Sequence, residues 1–194
     1  MKLSSLFLIP SATMQACRWA AHLGLVVILG TSLSAHAQAP GKHVHGQAEL
    51  NIAIESSSIQ LMLESPLDNV LGFEHAPRSA AERQKVKDTR QQLAKGNRLF
   101  AIDPKAGCDT GKATVEMAVP DTDSKHHNHA HEHGDAELAL DYRCSAADKA
   151  EFVYTKALFE TFPRLQTLQV QIAGPDGQAG KTVSRTHPRI NLAK

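Results

Sequence analysis

The chain has 194 residues, of which 42% are hydrophobic and 21% charged. Disordered proteins are less hydrophobic than this and membrane bundles are far more so, which excludes both classes. The formal net charge of +1 lacks the basic excess typical of nucleic-acid binding. The length suits one domain, and the unusual feature is a total of 11 histidines.

Residues 1–37 have the pattern of a secretory signal peptide. Lys2 and Arg18 precede a short apolar stretch at Ala20–Leu33, and Ala35-His36-Ala37 supplies small residues at the exit. The apolar stretch is short for a transmembrane helix. An uncleaved anchor is the alternative, and a start at Met14 would give a leader of more ordinary length. The sequence predicts an exported, periplasmic protein with a mature chain of residues 38–194.

An eight-residue motif, H-x-H-G-x-A-E-L, occurs twice with a spacing of 88 residues, at His43–Leu50 and at His131–Leu138. Apolar and polar residues alternate after each copy, which predicts a strand with one buried face. If extended backbone reaches back through the glycine, each polar face carries two histidines and a glutamate. These are His43, His45 and Glu49 in the first copy, and His131, His133 and Glu137 in the second.

The remaining pattern predicts an α+β domain over residues 38–194, with antiparallel sheets and two helices. Two related halves, each a β-hairpin plus a helix, would fit the repeat. The predicted elements after the first strand are a hairpin turn at 56–58, a strand at Ile59–Leu63, a buried connection at Leu67–Phe73, a helix at Ser79–Lys95 with a Ser79–Glu82 capping box and a Gly96 C-cap, short strands at Leu99–Ile102 and Ala113–Val119, a polar loop at 120–134, a second helix at Ser145–Phe162, strands at Leu165–Ala173 and Lys181–Arg185, and an edge segment at Arg189–Leu192.

Two cysteines, Cys108 and Cys144, remain after the leader. In an exported chain, two cysteines most simply form a disulfide. The bond would enclose the polar loop and clamp its base. A metal site made of cysteine and histidine is the competing interpretation.

The strongest chemical signal is the His-rich tract Lys125–His133, with sequence KHHNHAHEH. Neutral imidazole binds Zn²⁺, Cu²⁺ and Ni²⁺, and short His-rich segments are typical of metal binding. The histidines of this tract are His126, His127, His129, His131 and His133. A solvated loop without a defined ligand set is the alternative.

Further ligands must come from elsewhere, since zinc takes about four donors. The candidates are Glu74, His75 and His187, although His75 follows a buried-looking Gly72-Phe73 and His187 precedes a proline. Because histidine must be neutral to bind metal, zinc affinity is expected to fall below about pH 6.5.

The mature chain resembles the ZrgA-like family of periplasmic zinc-binding proteins. The resemblance rests on His43–Leu50, on the block Ser65–Pro77 with its S-P-x-x-N-x-x-G-F-E-H-x-P pattern, on the His-rich tract, on Tyr142-Arg143-Cys144 and on Leu158–Pro163. It implies zinc binding in zinc acquisition beside an ABC-type transporter. It also implies that His43, His45, the tract histidines and His75 are ligands.

The sequence therefore predicts a binding protein that captures, buffers or delivers Zn²⁺, with no nucleic-acid partner and with membrane contact only through a partner protein. Physics alone leaves Cu²⁺ and Ni²⁺ open. A structural module of an envelope transport complex with incidental metal binding is the alternative. The sequence lacks H-E-x-x-H, G-x-S-x-G and P-loop motifs, and we expect no enzymatic activity.

Overall fold

The computed structural model describes residues 44–109, 111–120 and 134–192. The predicted leader, His43 and the tract histidines lie outside the described residues. No helix in the described part of the chain is long and apolar enough to span a membrane.

The fold is α+β, as predicted, and the described residues form nine strands and three α-helices. A six-stranded sheet has the order β4-β5-β2-β1-β7-β8, and a three-stranded sheet has the order β3-β6-β9. Among these described strands, β1 and β7 pair in parallel and the other pairings are antiparallel. The elements are β1 (Gln47–Ile54), β2 (Ser58–Pro66), α1 (Leu67–Leu71), α2 (Ala80–Leu93), β3 (Ala101–Ile102), β4 (Lys112–Met117), β5 (Asp135–Arg143), β6 (Phe152–Tyr154), α3 (Lys156–Thr161), β7 (Thr167–Gly174), β8 (Gly177–Ser184) and β9 (Arg189–Asn191).

Alternation places one face of the large sheet in the core and the other in solvent. On β1, Ala48, Leu50 and Ile52 are buried, and the glutamate and asparagine between them are exposed. The same alternation holds on β5, where Leu138 and Leu140 are buried. The helices and the small sheet contribute to the same hydrophobic core, so the outer face of the large sheet carries the polar residues.

The repeated motif occupies equivalent places in the large sheet. Glu49 of β1 faces Glu64 of β2, and Glu64 in turn faces Glu137 of β5. The two copies therefore run in the same direction and in the same register, with one strand between them. The two copies differ in their partners: β1 pairs with β2, which follows it in the chain, whereas β5 pairs with β2 and β4, which both precede it.

The predicted helix over Ser145–Phe162 is wrong. The chain instead makes a 3₁₀ turn at Ala147–Lys149, then β6, and only then α3. Aromatic and β-branched residues favour strands, and β6 is the central strand of the small sheet, with Val153 fully buried. Tertiary pairing therefore overrides the helical spacing of the apolar residues.

The first predicted helix is confirmed together with its capping box, in which Ser79 Oγ accepts from Glu82 N and Glu82 Oε2 accepts from Ser79 N. Its predicted end is wrong, because Ala94 is the C-cap and Gly96 begins a 3₁₀ turn. A Cβ atom on Gly96 would lie 2.7 Å from Leu140 Cδ2. Glycine is needed there for close packing against β5.

Candidate metal centre

The two copies of the motif begin at the same end of the large sheet. At this end, Gln47 of β1 faces Thr167 of β7, and Thr167 faces Ser184 of β8. On the other side of β1, Pro66 at the end of β2 faces Asp135 at the start of β5. The turn that carries His187 follows Ser184. His45, His187 and Gly134 (the residue after the tract) thus reach one end of the sheet from different strands.

His45 lies in a turn just before β1. Gly46 has a φ of 85°, a left-handed conformation that favours glycine, and Gln47 N donates to Val44 O at 3.0 Å. The extended backbone of β1 therefore begins at Gln47 and does not include His45. The expectation that His45 shares the face of Glu49 by strand alternation is wrong. The turn directs His45 toward the block that follows β2.

A buried asparagine holds this turn in place. Asn69 Oδ1 accepts from Gly46 N at 2.7 Å, and Asn69 Nδ2 donates to Gln47 O at 2.8 Å and to Ser65 Oγ at 3.1 Å. Asn69 is 1% exposed, so these bonds form away from water, where an unmet polar group is costly. The position of the His45 backbone is fixed by α1.

The His45 imidazole lies between two carboxylates. Its Nε2 atom is 3.3 Å from Glu74 Oε1, and its Nδ1 atom is 3.8 Å from Asp68 Oδ2. The His45 side chain is 61% exposed, whereas those of Asp68 and Glu74 are 9% and 16% exposed. His45 and Glu74 form a pair of potential metal ligands, in which the Glu74 carboxylate is largely buried and the His45 imidazole is accessible.

The separation of His45 Nε2 and Glu74 Oε1 suits a shared metal ion. Two zinc ligands with bonds of about 2.0–2.1 Å at a tetrahedral angle lie about 3.3–3.4 Å apart. Within the described ranges no three His, Cys, Asp or Glu side chains come together in a metal-binding group. The pair would therefore need further donors, and the predicted ligand nearest in sequence is His43, outside those ranges.

Asp68 is held by a distant arginine. Arg164 Nη2 donates to Asp68 Oδ1 at 2.8 Å and to Oδ2 at 2.7 Å, and Arg164 Nε donates to Oδ2 at 3.1 Å and to the Asp68 carbonyl at 3.0 Å. The backbone on either side of Arg164 is also hydrogen-bonded, because Arg185 donates to the carbonyls of Pro163 and Leu165.

His75 lies beside the start of α2, and its contacts are with residues other than His45. Its Nδ1 atom donates to Ala76 O at 2.9 Å, its ring stacks on Phe73 at 5.0 Å, and its Nε2 atom is 3.9 Å from Glu82 Oε1. The pKa of Glu82 is lowered, mainly by hydrogen bonds from the backbone N–H groups of Ser79 and Arg78 and in part by the nearby His75. These contacts give His75 a structural place at the helix cap.

The other predicted metal ligands within the described residues lie at separate places on the fold. His187 is exposed, and its Nδ1 atom lies 3.0 Å from Thr186 Oγ1. Glu49 and Glu137 lie on the outer face of the sheet, two members of a row that Glu64 and Glu116 complete. The structure does not gather them with His45.

The predicted disulfide between Cys108 and Cys144 is confirmed. These sulfur atoms are bonded to each other, which removes the alternative of a Cys–His metal site. The bond joins the segment before β4 to the end of β5 and so encloses the chain between these strands, including the His-rich tract.

Three residues near the His45–Glu74 pair are not predicted as site residues by the sequence motifs. They are Asp68, Asn69 and Arg164. Asp68 and Asn69 belong to the Ser65–Pro77 block, the most specific part of the sequence pattern, and Arg164 follows the Leu158–Pro163 block. Their positions inside or beside these two blocks mark them as candidates, but neither block indicates that Asp68 and Arg164 are in contact.

The sequence model of the family described as "ZrgA family zinc uptake protein" matches residues 42–192. No curated protein matches the chain. The matched residues cover most of the chain, including the whole centre around His45 and both cysteines. The chain therefore belongs to the ZrgA family of zinc uptake proteins, and its role is related to zinc uptake.

Proposed function

We propose that this protein is an exported zinc carrier that captures, buffers or delivers Zn²⁺ in the periplasm. The observation that carries the proposal is the 3.3 Å separation of His45 Nε2 and Glu74 Oε1, the spacing of two ligands on one tetrahedral ion. Family membership supports zinc as the metal, since these ligand types also suit Cu²⁺ and Ni²⁺.

The exposure of the pair suits a carrier. A carrier must release its cargo, and the His45 side chain is 61% exposed, so the ion can be reached and exchanged without unfolding. A closed site of four buried ligands would instead favour permanent structural zinc. Glu74 gives the pair a largely buried carboxylate, and His45 gives it an accessible imidazole.

His43 is the proposed third ligand, because it lies two residues before His45 on the same segment. The tract histidines His126, His127, His129, His131 and His133 form a second, weaker store of zinc in this proposal. Glu49, Glu137 and His187 are proposed as outlying carboxylate and imidazole groups that contact zinc only transiently, and His75 as a cap residue.

Export by a leader over residues 1–37 places the carrier in the periplasm, where a disulfide is stable. Delivery to an ABC-type transporter would be by protein contact, and the carrier would reach the membrane only through that partner. The alternative proposal, a structural module of an envelope transport complex, keeps the same fold and gives the histidines no carrier role.

The test is calorimetric titration of Zn²⁺ into metal-free mature chain, residues 38–194, with three variants. His45→Ala tests the centre, replacement of the five tract histidines by serine tests the tract, and His187→Ala is the matched control at the same end of the sheet. We expect the tightest site to be lost with His45→Ala and kept in the other two. Loss of all binding with the tract alone would contradict the centre, and the absence of binding in the mature chain would favour the structural module.

A further inference from the structure

Asp68 is the second carboxylate beside His45, and it is almost wholly engaged by Arg164. Both carboxylate oxygens lie within 2.8 Å of Arg164 Nη2. The Asp68 side chain is 9% exposed and that of Arg164 is 55% exposed. Charge-assisted bonds of this kind are strong and hold a fixed geometry, so the negative charge next to His45 is largely balanced by the guanidinium.

The position of Asp68 relative to His45 is that of an outer carboxylate. Its Oδ2 atom is 3.8 Å from His45 Nδ1, too far for a hydrogen bond and within the distance of an ion pair. The other imidazole nitrogen, Nε2, is the one beside Glu74. A metal-bound histidine commonly presents its second nitrogen to a carboxylate, which raises the donor strength of the imidazole.

We propose that Arg164 sets the zinc affinity of the His45–Glu74 centre by neutralising Asp68, so that bound zinc can be released. This inference rests on the proposed function of the centre. With Arg164 in place, Asp68 supports the imidazole only weakly. Without the guanidinium, the full charge of Asp68 would act on His45 and on the ion it holds. Changes to outer carboxylates of this kind commonly alter metal affinity by about 10–100-fold.

Release follows from the same arrangement. Arg164 lies in the turn between α3 and β7, 96 residues from Asp68 in sequence. Because its side chain is more exposed than that of Asp68, a partner protein or an anion could draw the guanidinium away and change the affinity of the centre.

The experiment measures zinc affinity and the rate of zinc release in the mature chain with its five tract histidines replaced by serine. The variants are Arg164→Gln, which removes the charge, Arg164→Lys, which keeps it, and Arg143→Gln, which removes a cation at the opposite end of β5. Circular dichroism and thermal unfolding confirm that each variant is folded. The double variant Asp68→Asn/Arg164→Gln tests whether any effect acts through Asp68.

We expect Arg164→Gln to bind zinc about tenfold more tightly and to release it more slowly, with Arg164→Lys and Arg143→Gln close to the parent and the double variant without the gain. Unchanged or weaker binding in a folded Arg164→Gln protein would overturn the inference, since a purely structural arginine would not give tighter binding when removed. If Arg164→Gln fails to fold, tightening of more than a few-fold in Arg164→Lys would overturn it. Loss of zinc binding in His45→Ala would still support the centre in either case, so the two proposals fail separately.

Discussion

Glu49 and Glu137 lie 88 residues apart in the chain, yet both face Glu64, which occupies the strand between them. Glu116 on β4 faces Glu137 and extends the row. Adjacent strands are about 4.8 Å apart, so four carboxylates follow one another across the outer face of the sheet. Like charges in directly opposite positions are destabilising, and the fold keeps this row in spite of that cost.

Substitution of Glu137 by glutamine should therefore raise the free energy of unfolding by about 0.2–1 kcal/mol, because two like-charge contacts disappear. Urea unfolding at low ionic strength measures the gain, and high salt should reduce it. Asp141→Asn is the matched control on the same strand and face, since Asp141 faces Lys112 and should lose stability or stay unchanged. A stability loss in Glu137→Gln would show that the row is held by compensating contacts.

Substitution of Asn69 by alanine should lower the free energy of unfolding by about 1–3 kcal/mol, since the backbone groups of Gly46 and Gln47 lose their partners. The same change should weaken zinc binding at His45, whose turn Asn69 holds. Ser65→Ala removes only one of the bonds to Asn69 and serves as the control. Equal losses in the two variants would mean that the asparagine does not fix the turn.

Reduction of the Cys108–Cys144 bond should cost about 3–4 kcal/mol of stability, because the bond closes a long loop with a sequence separation of 36 residues. Denaturant unfolding with and without a thiol reductant measures the loss. A Cys108→Ser/Cys144→Ser variant should match the reduced protein and should not respond to the reductant. A response of that variant would point to an effect of the reductant outside the bond.

The lowered pKa of Glu82 predicts a loss of stability in acid. Its carboxylate accepts backbone N–H bonds at the start of α2, so its folded-state pKa lies below the ordinary value of 4.5. The contribution is complete above that value and is lost as the pH falls through the lower, folded-state pKa. Hydrogen exchange of the first turn of α2 between pH 5 and pH 3 should rise relative to the rest of the helix after correction for intrinsic rates. Glu82→Gln should remove this dependence.

Local patterns were sufficient for much of the fold. The alternation around Leu50 and Leu138 predicted β1 and β5, and the pair Ser79 and Glu82 predicted the start of α2, because in each case the deciding interactions lie within a few residues. The disulfide was also predictable, since Cys108 and Cys144 are the two cysteines that follow the predicted leader.

Long-range contacts decided what could not be predicted. The spacing of Phe152 and Leu158 fits a helix, but pairing with β3 and β9 makes the first of them part of a strand. Of the candidate metal ligands, His45 and Glu74 meet only because Gly46 turns the chain and Asn69 holds the turn. The contact between Asp68 and Arg164 joins segments 96 residues apart, and no local pattern reports it.

The Cys108–Cys144 bond has a consequence for proteolysis. Both cysteines lie outside the segment 121–133, on either side of it, and β4 and β5 pair directly with each other. A protease that cut once within this segment would leave two fragments joined by sulfur and folded in one sheet. The His-rich segment could thus be shortened, lengthened or cut while the turn around His45 kept its shape.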